Sequence, residues 1–132
     1  MVSVIIPTYN REKTIRRSIE SILNKTYQDF EIIVVDYGSV DNTYEVVKSI
    51  DDNRIVYVKH EVNKGPSIAR NTGIFTAKGD IIAFQDSDDE WFSYKLELQL
   101  NTMKEFNCDI VVGEVFFVDE DGNKRKFPNL PI

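Results

Sequence analysis

The chain has 132 residues, with 16 basic and 22 acidic side chains for a net charge of −6. That balance argues against nucleic acid as a partner, because a phosphate backbone is bound by clustered Lys and Arg. A share of 42% hydrophobic and 29% charged residues excludes a disordered chain and describes one globular domain of ordinary make-up.

The first apolar run, "VSVII" (Val2 to Ile6), reads as a strand that Pro7 should end. From Lys13 to Asn24, Ile15, Ile19, Ile22 and Leu23 recur at helical spacing. "EIIVVD" (Glu31 to Asp36) is a second strand. The following helix has Asn42 and Glu45 spaced as a capping box and Val46, Val47 and Ile50 as its apolar stripe. "RIVYVKH" (Arg54 to His60) is a third strand. "GPSIARNTGIFTAKG" then predicts a helix with Pro66 at its start, Ile68, Ala69, Thr72 and Ile74 turned inward, and Gly79 as its stop. "DIIAF" (Asp80 to Phe84) is a fourth strand. A helix over Phe92 to Phe106 follows, with Leu96, Leu100 and Met103 inward. Cys108, the only cysteine, rules out an internal disulfide and a thiolate metal site, and is expected buried at the junction with the next strand. "DIVVGEVFFVD" (Asp109 to Asp119) predicts a long fifth strand. Asp121-Gly122 signals a hairpin turn into Lys124 to Phe127.

Strand–helix alternation with near-continuous Val and Ile runs predicts an α/β fold, a largely parallel sheet covered by helices on both faces. No apolar run approaches membrane-spanning length or a signal-peptide core, so a cytoplasmic chain is expected. The last residues, "KFPNLPI", offer no capping element, which suggests one domain that is a piece of something longer.

Parallel sheets bind ligands beyond the carboxyl ends of their strands. Those ends carry Thr8, Tyr9 and Asn10, then Asp36, then Asn63, Lys64 and Gly65, then "DSDDE" from Asp86 to Glu90. Their coincidence at one edge is the main functional signal. Four carboxylates within Asp86 to Glu90 repel one another unless water, a helix dipole or a cation offsets them. Asp86 and Asp88 brought together by a tight turn would suit Mg²⁺ or Mn²⁺, which take their remaining ligands from water and substrate phosphates. A solvated turn at a helix N-terminus explains the same residues without a metal. An EF-hand loop would place its twelfth ligand at Glu97, but it needs glycine where Trp91 stands. Tyr9 is either a base-stacking ring or an ordinary loop aromatic. Asp36 either accepts from a base imide or ends a strand. Arg70 either offsets diphosphate charge or pairs with a surface acid. Trp91 reads as a packing anchor, and His60 has no evident partner. Neither G-x-G-x-x-G nor G-x-x-x-x-G-K-[ST] occurs, so the usual glycine phosphate cradle is missing.

"VSVIIPTYNREKTIRRSIESILNKTYQDFEIIVVD" and "NKGPSIARNTGIFTAKGDIIAFQDSDDEW" together resemble the nucleotide-sugar-binding part of family 2 glycosyltransferases with the GT-A (Rossmann-like) fold, over roughly Val2 to Val118. The resemblance implies a base pocket of Pro7, Thr8 and Tyr9, with Asp36 reading a uracil imide and Asn63 and Arg70 near base and diphosphate. It makes Asp86-Ser87-Asp88 the D-x-D element. There Asp86 and Ser87 contact the donor, and Asp86 and Asp88 hold Mn²⁺ or Mg²⁺ against a nucleotide-diphospho-sugar, expected to be a UDP-sugar. The implied reaction is inverting transfer to the hydroxyl of a saccharide or lipid-linked acceptor at the cytoplasmic membrane face, as in polysaccharide assembly. Tyr37 stands where the family usually has a second acid, and the family's general base is expected beyond Ile132. Two other readings are a binding or assembly module without an acceptor half and a receiver-type phosphoacceptor domain. The second expects an acid pair where this chain has Pro7 and Thr8. A truncated sheet would leave "IVVGEVFFV" uncovered and favour a homo-oligomer.

Overall fold

Four parallel strands in the order β3-β2-β1-β4 form the main sheet of the computed structural model, which describes residues 1–126. They are β1 (Val2–Thr8), β2 (Phe30–Asp36), β3 (Ile55–Lys59) and β4 (Ile81–Phe84). Every residue of β1 and β2 is buried. Unbroken Val and Ile runs take the two central places because only there are both faces covered. β3 and β4, at the edges, are half-buried over most of their length.

Pro7 does not end β1; it pairs with Val35, and Thr8 with Asp36. The reason lies in which neighbour each residue faces. Ile5 O accepts from Gln85 N on the β4 side and Thr8 O from Tyr37 N on the β2 side. By alternation, Pro7 faces the β4 side, where pairing has already stopped at Ile5 with Phe84. A proline there forfeits no ladder bond.

The helices are α1 (Ile15–Leu23), α2 (Thr43–Lys48), α3 (Pro66–Thr76) and α4 (Lys95–Phe106). α1 buries Ile15, Ser18, Ile19 and Ile22, the three isoleucines of the expected apolar face with one serine added, while Leu23 is half-buried. In α2 the Asn42–Glu45 box does not form. The Asn42 backbone and side-chain amides both donate to Glu12 Oε2, at 2.9 and 3.0 Å. Asp41 Oδ1 accepts instead from Thr43 N at 3.0 Å, so an aspartate one residue earlier satisfies the helix start. In α3 the inward residues are Ala69 and Gly73; Ile68 and Ile74 are exposed, against expectation, and Thr72 is half-buried. α3 lies so close to β1 that only small residues fit, and a Cβ at Gly73 would stand 2.4 Å from Ile5 Cγ2. Ile33, Val35 and Ala69 form the core on that side.

The chain divides into two compact units, Met1–Leu96 and the residues from Glu97 onward. α4 begins later than its periodicity predicts, with Leu96 buried and Leu100 and Met103 half-buried. Asn107, at φ 47°, ends it. Cys108 is half-buried rather than buried. The long fifth strand is not present. Only β5 (Phe116–Val118) is extended, and it pairs antiparallel with β6 (Lys124–Lys126), not with the four-stranded sheet. Residues 109–115, though rich in Ile and Val, join no strand among the described residues, and composition alone cannot make a strand. The Asp-Gly turn is present: Gly122 has φ 82°, and Asp119 Oδ1 accepts from Asp121 N and Asn123 N. The expected end of this hairpin at Phe127 lies outside the described residues.

Candidate functional site

Thr8, Asp36 and Lys59 stand abreast at the carboxyl ends of β1, β2 and β3. Asp36 is fully buried. Its Oδ1 accepts from Gly38 N at 3.0 Å and Ser39 N at 2.7 Å, and its Oδ2 accepts from the Tyr57 hydroxyl. Burial, then the Asp36 carboxylate, push the Tyr57 hydroxyl far above its ordinary pKa. The loop so held turns at Gly38, whose φ of 117° suits glycine and whose missing side chain leaves room for Asn63 N, 3.3 Å from where a Cβ would lie. The first and second strand-end loops are tied together as well. Asn10 N donates to Ser39 Oγ at 2.8 Å, and Asn10 Oδ1 accepts from Val40 N at 2.9 Å.

Above these loops Tyr9 and Tyr37 stack, centroids 5.4 Å apart and planes 17° from parallel. That spacing leaves no room for a ring between them, so a base would use an outer face of the pair. Asn63 Oδ1 accepts from Gly65 N at 2.9 Å, shaping the turn into α3. Arg70, one turn into α3, reaches Asp86 Oδ1 at 3.1 Å.

The acidic turn follows β4. Ser87 is buried, while Asp86 and Asp88 keep 60% and 51% of their side chains exposed. Three arginines answer the charge: Arg70 at Asp86, Arg11 at 3.5 Å from Asp88, and Arg17 at 2.7 Å from Glu90. Asp89 is exposed on the same turn; partial desolvation, then the charges of Asp88 and Asp86, raise its carboxyl above the ordinary range. Among the described residues no three His, Cys, Asp or Glu side chains converge to hold a metal unaided. Two exposed carboxylates on one turn do fit a hard cation whose other ligands are phosphate and water. A shallow cavity of about 240 Å³ near Ile50, Asp52 and Ile55 has none of Tyr9, Arg70, Asp86 or Asp88 in its lining.

The structure thus gathers Pro7, Thr8, Tyr9, Asp36, Asn63, Arg70, Asp86, Ser87 and Asp88 along one sheet edge. It adds Tyr57, Arg11 and Ser39, which sequence reading passed over, and pairs Tyr37, read only as a replaced acid, with Tyr9. The basic run Arg11 to Arg17 was a visible counter-charge to the acids, but nothing in "RIVYVKH" marks Tyr57 as a partner of Asp36. Trp91 is half-buried, with the Lys95 ammonium 4.0 Å above its ring, in keeping with a packing anchor. His60 Nε2 lies 2.9 Å from Thr72 Oγ1, and its buried Nδ1 has no hydrogen-bond partner among the described residues.

Comparison with known proteins bears on this edge. The sequence profile described as "Glycosyl transferase family 2" matches residues 3–131. An Escherichia coli protein named UDP-Glc:alpha-D-GlcNAc-diphosphoundecaprenol beta-1,3-glucosyltransferase WfgD is 41% identical over 127 residues, 96% of this chain and 50% of its own length. Crystals of S. aureus TarS 1-349 with UDP-GlcNAc match at a TM-score of 0.75 and 32% identity, over 80% of this chain and 32% of TarS. The mannosyltransferase PcManGT of Pyrobaculum calidifontis, in complex with GDP-Man and Mn²⁺, matches at 0.72 and 28%, over 77% of this chain and 32% of that one. The chain spans about half, or less, of the length of the curated relatives it matches.

Proposed function

Since the chain belongs to glycosyl transferase family 2 and has the GT-A type of fold, we propose that it is the donor-binding part of a glycosyltransferase that takes a UDP-sugar. The observation that carries this reading is the meeting, at one sheet edge, of an aromatic stack and a turn with two exposed carboxylates. The uracil lies on an outer face of the Tyr9–Tyr37 pair, over the backbone of Pro7 and Thr8. Asp36 supports it from below by fixing the Gly38 and Ser39 amides and Tyr57, and the imide N–H shares that carboxylate. Asn63 borders the base, and Arg70 faces the diphosphate from α3. Asp86 and Asp88 would hold Mn²⁺ or Mg²⁺, with Ser87 fixing the turn between them, and the bound cation would supply charge to offset the departing diphosphate. An acidic protein has few other ways to stabilise so charged a leaving group.

Transfer inverts the anomeric carbon when an acceptor hydroxyl attacks from the face opposite the diphosphate. No described residue is assigned as the base. The acceptor is a saccharide or a lipid-linked one, and a lipid-linked acceptor would put the reaction at the cytoplasmic membrane face; the WfgD name specifies a diphosphoundecaprenol substrate for that relative. No helix of the described residues is long and apolar enough to cross a membrane.

Titration calorimetry with UDP tests the reading. Affinity should rise at least about tenfold when Mn²⁺ is present, one hydrogen-bonded charge pair's worth. Equal affinities with and without the ion, or an unchanged ion effect in Asp88→Ala, would overturn it.

A further inference from the structure

Residues 85–94 contain no helix or strand, so the turn carrying Asp86 and Asp88 must find partners for its backbone elsewhere. It finds them on one polar stripe of α1 and the residues flanking it. Thr14 Oγ1 donates to Ser87 O at 3.1 Å, Arg17 to Asp88 O at 3.3 Å, and Ser18 Oγ to Asp86 O at 3.2 Å. Ser21 Oγ accepts from Trp91 N at 3.2 Å, and Lys25 Nζ donates to Trp91 O at 2.5 Å. Gln85 closes the set. Its Nε2 donates to Ser18 Oγ at 2.6 Å and to Asp89 O at 2.8 Å.

Positions 14, 18, 21 and 25 repeat at helical spacing, and Ser18, Lys25, Gln85 and Ser87 are buried. Within the turn itself only Asp89 N to Asp86 O, at 3.1 Å, is a backbone bond. The fold of the acidic turn is therefore moulded by side chains of α1 and its flanks, while Asp86 and Asp88 stay exposed and pair with Arg70 and Arg11.

We infer that this stripe, centred on Thr14 and Ser18, is a set of positioning residues that fixes where Asp86 and Asp88 present their oxygens to the donor's diphosphate and its cation. The inference rests on the donor-binding reading and adds to it. A turn left to find its own shape would have to be ordered on binding, and an anchored one does not. None of these side chains touches the ligand. They act through Ser87 O and Asp86 O.

Thr14→Val isolates the effect, because valine matches threonine in shape and lacks only the hydroxyl, at a half-buried position. The test measures UDP affinity of the full chain with and without Mn²⁺, alongside thermal unfolding. Thr14→Val should weaken the Mn²⁺-dependent part about fivefold, and Thr14→Val with Ser18→Ala more than tenfold, each hydrogen bond contributing modestly. Affinity for UDP without the ion should not change, and Thr14→Ser should restore the wild-type value. Loss of metal-dependent and metal-free affinity together, or no loss in the double variant, would overturn the inference. Asp88→Asn separates the two claims. If it abolishes the Mn²⁺ effect while the α1 variants do not, only the moulding role fails. If it changes nothing, the donor-binding reading fails with it.

Discussion

Replacing Gly73 by alanine sets two known effects of opposite sign against each other. In an open helix the change should stabilise by up to about 1 kcal/mol, through backbone entropy alone. Here the added methyl would lie 2.4 Å from Ile5 Cγ2, 3.0 Å from Cγ1 and 3.1 Å from Cδ1. Carbon atoms at rest sit about 3.5–4.0 Å apart. Ile5 is fully buried in the central strand and has nowhere to retreat, so α3 must lift from the sheet. A contact as close as 2.4 Å against a fully buried side chain falls in the upper part of the overpacking range, about 2–3 kcal/mol, which leaves a net loss of about 1–2 kcal/mol after the propensity gain. For a unit near 100 residues that lowers the midpoint by roughly 5–15 °C. Thermal unfolding followed by circular dichroism reads it directly. The clash is specific to Ile5, so the same substitution in an Ile5→Ala background should cost much less. An unchanged or raised midpoint for Gly73→Ala would refute the account of why small residues line α3. Because Arg70 rides on the same helix, the variant should also weaken UDP binding.

Asp36→Asn removes a charge that accepts three hydrogen bonds in a fully buried place. It should cost about 2–3 kcal/mol and speed amide exchange at Gly38 and Ser39; protection unchanged at both would contradict the bracing role. Lys25 is pushed down to about 8 by burial and then by Lys95, against the pull of Glu90. Its unfolded form keeps the proton to a higher pH, so stability should rise from pH 8 toward 10, with Lys95, also lowered by burial, acting in the same direction. Tyr57, shifted upward, opposes the trend only as pH passes 10. Urea midpoints should show the rise and lose most of it in Lys25→Met; a flat wild-type profile would count against the buried ammonium. Ile110, Val112 and Phe117 are exposed, and we propose that they support self-association. Light scattering should show a concentration-dependent mass that Val112→Glu with Phe117→Glu abolishes, and a monomer at every concentration would reject it.

The sheet was legible because its two central strands are written as continuous Val and Ile runs, a pattern that burial on both faces requires. The site edge followed from topology: once the strands are parallel, Thr8, Asp36 and Asp86 must follow strand ends on the same side. What failed to show was contact at a distance. Ile68 and Ile74 have the right spacing for a core face, but closeness to Ile5 selects Ala69 and Gly73 instead. Residues 109–115 have strand composition, yet a strand is decided by its neighbour. Asn42 looks like a cap, but Glu12, thirty residues earlier, claims its amides. Tyr57 and the α1 stripe went unread for the same reason, since the spacing of a polar side chain does not say which distant segment it bonds.

Diffraction at the manganese absorption edge, from crystals grown with UDP and Mn²⁺, tests the central claim most directly. We predict one anomalous peak within coordination distance of Asp86 or Asp88 oxygens and of the diphosphate. A diphosphate bound with no peak there, or a peak bound elsewhere on the chain, would contradict it.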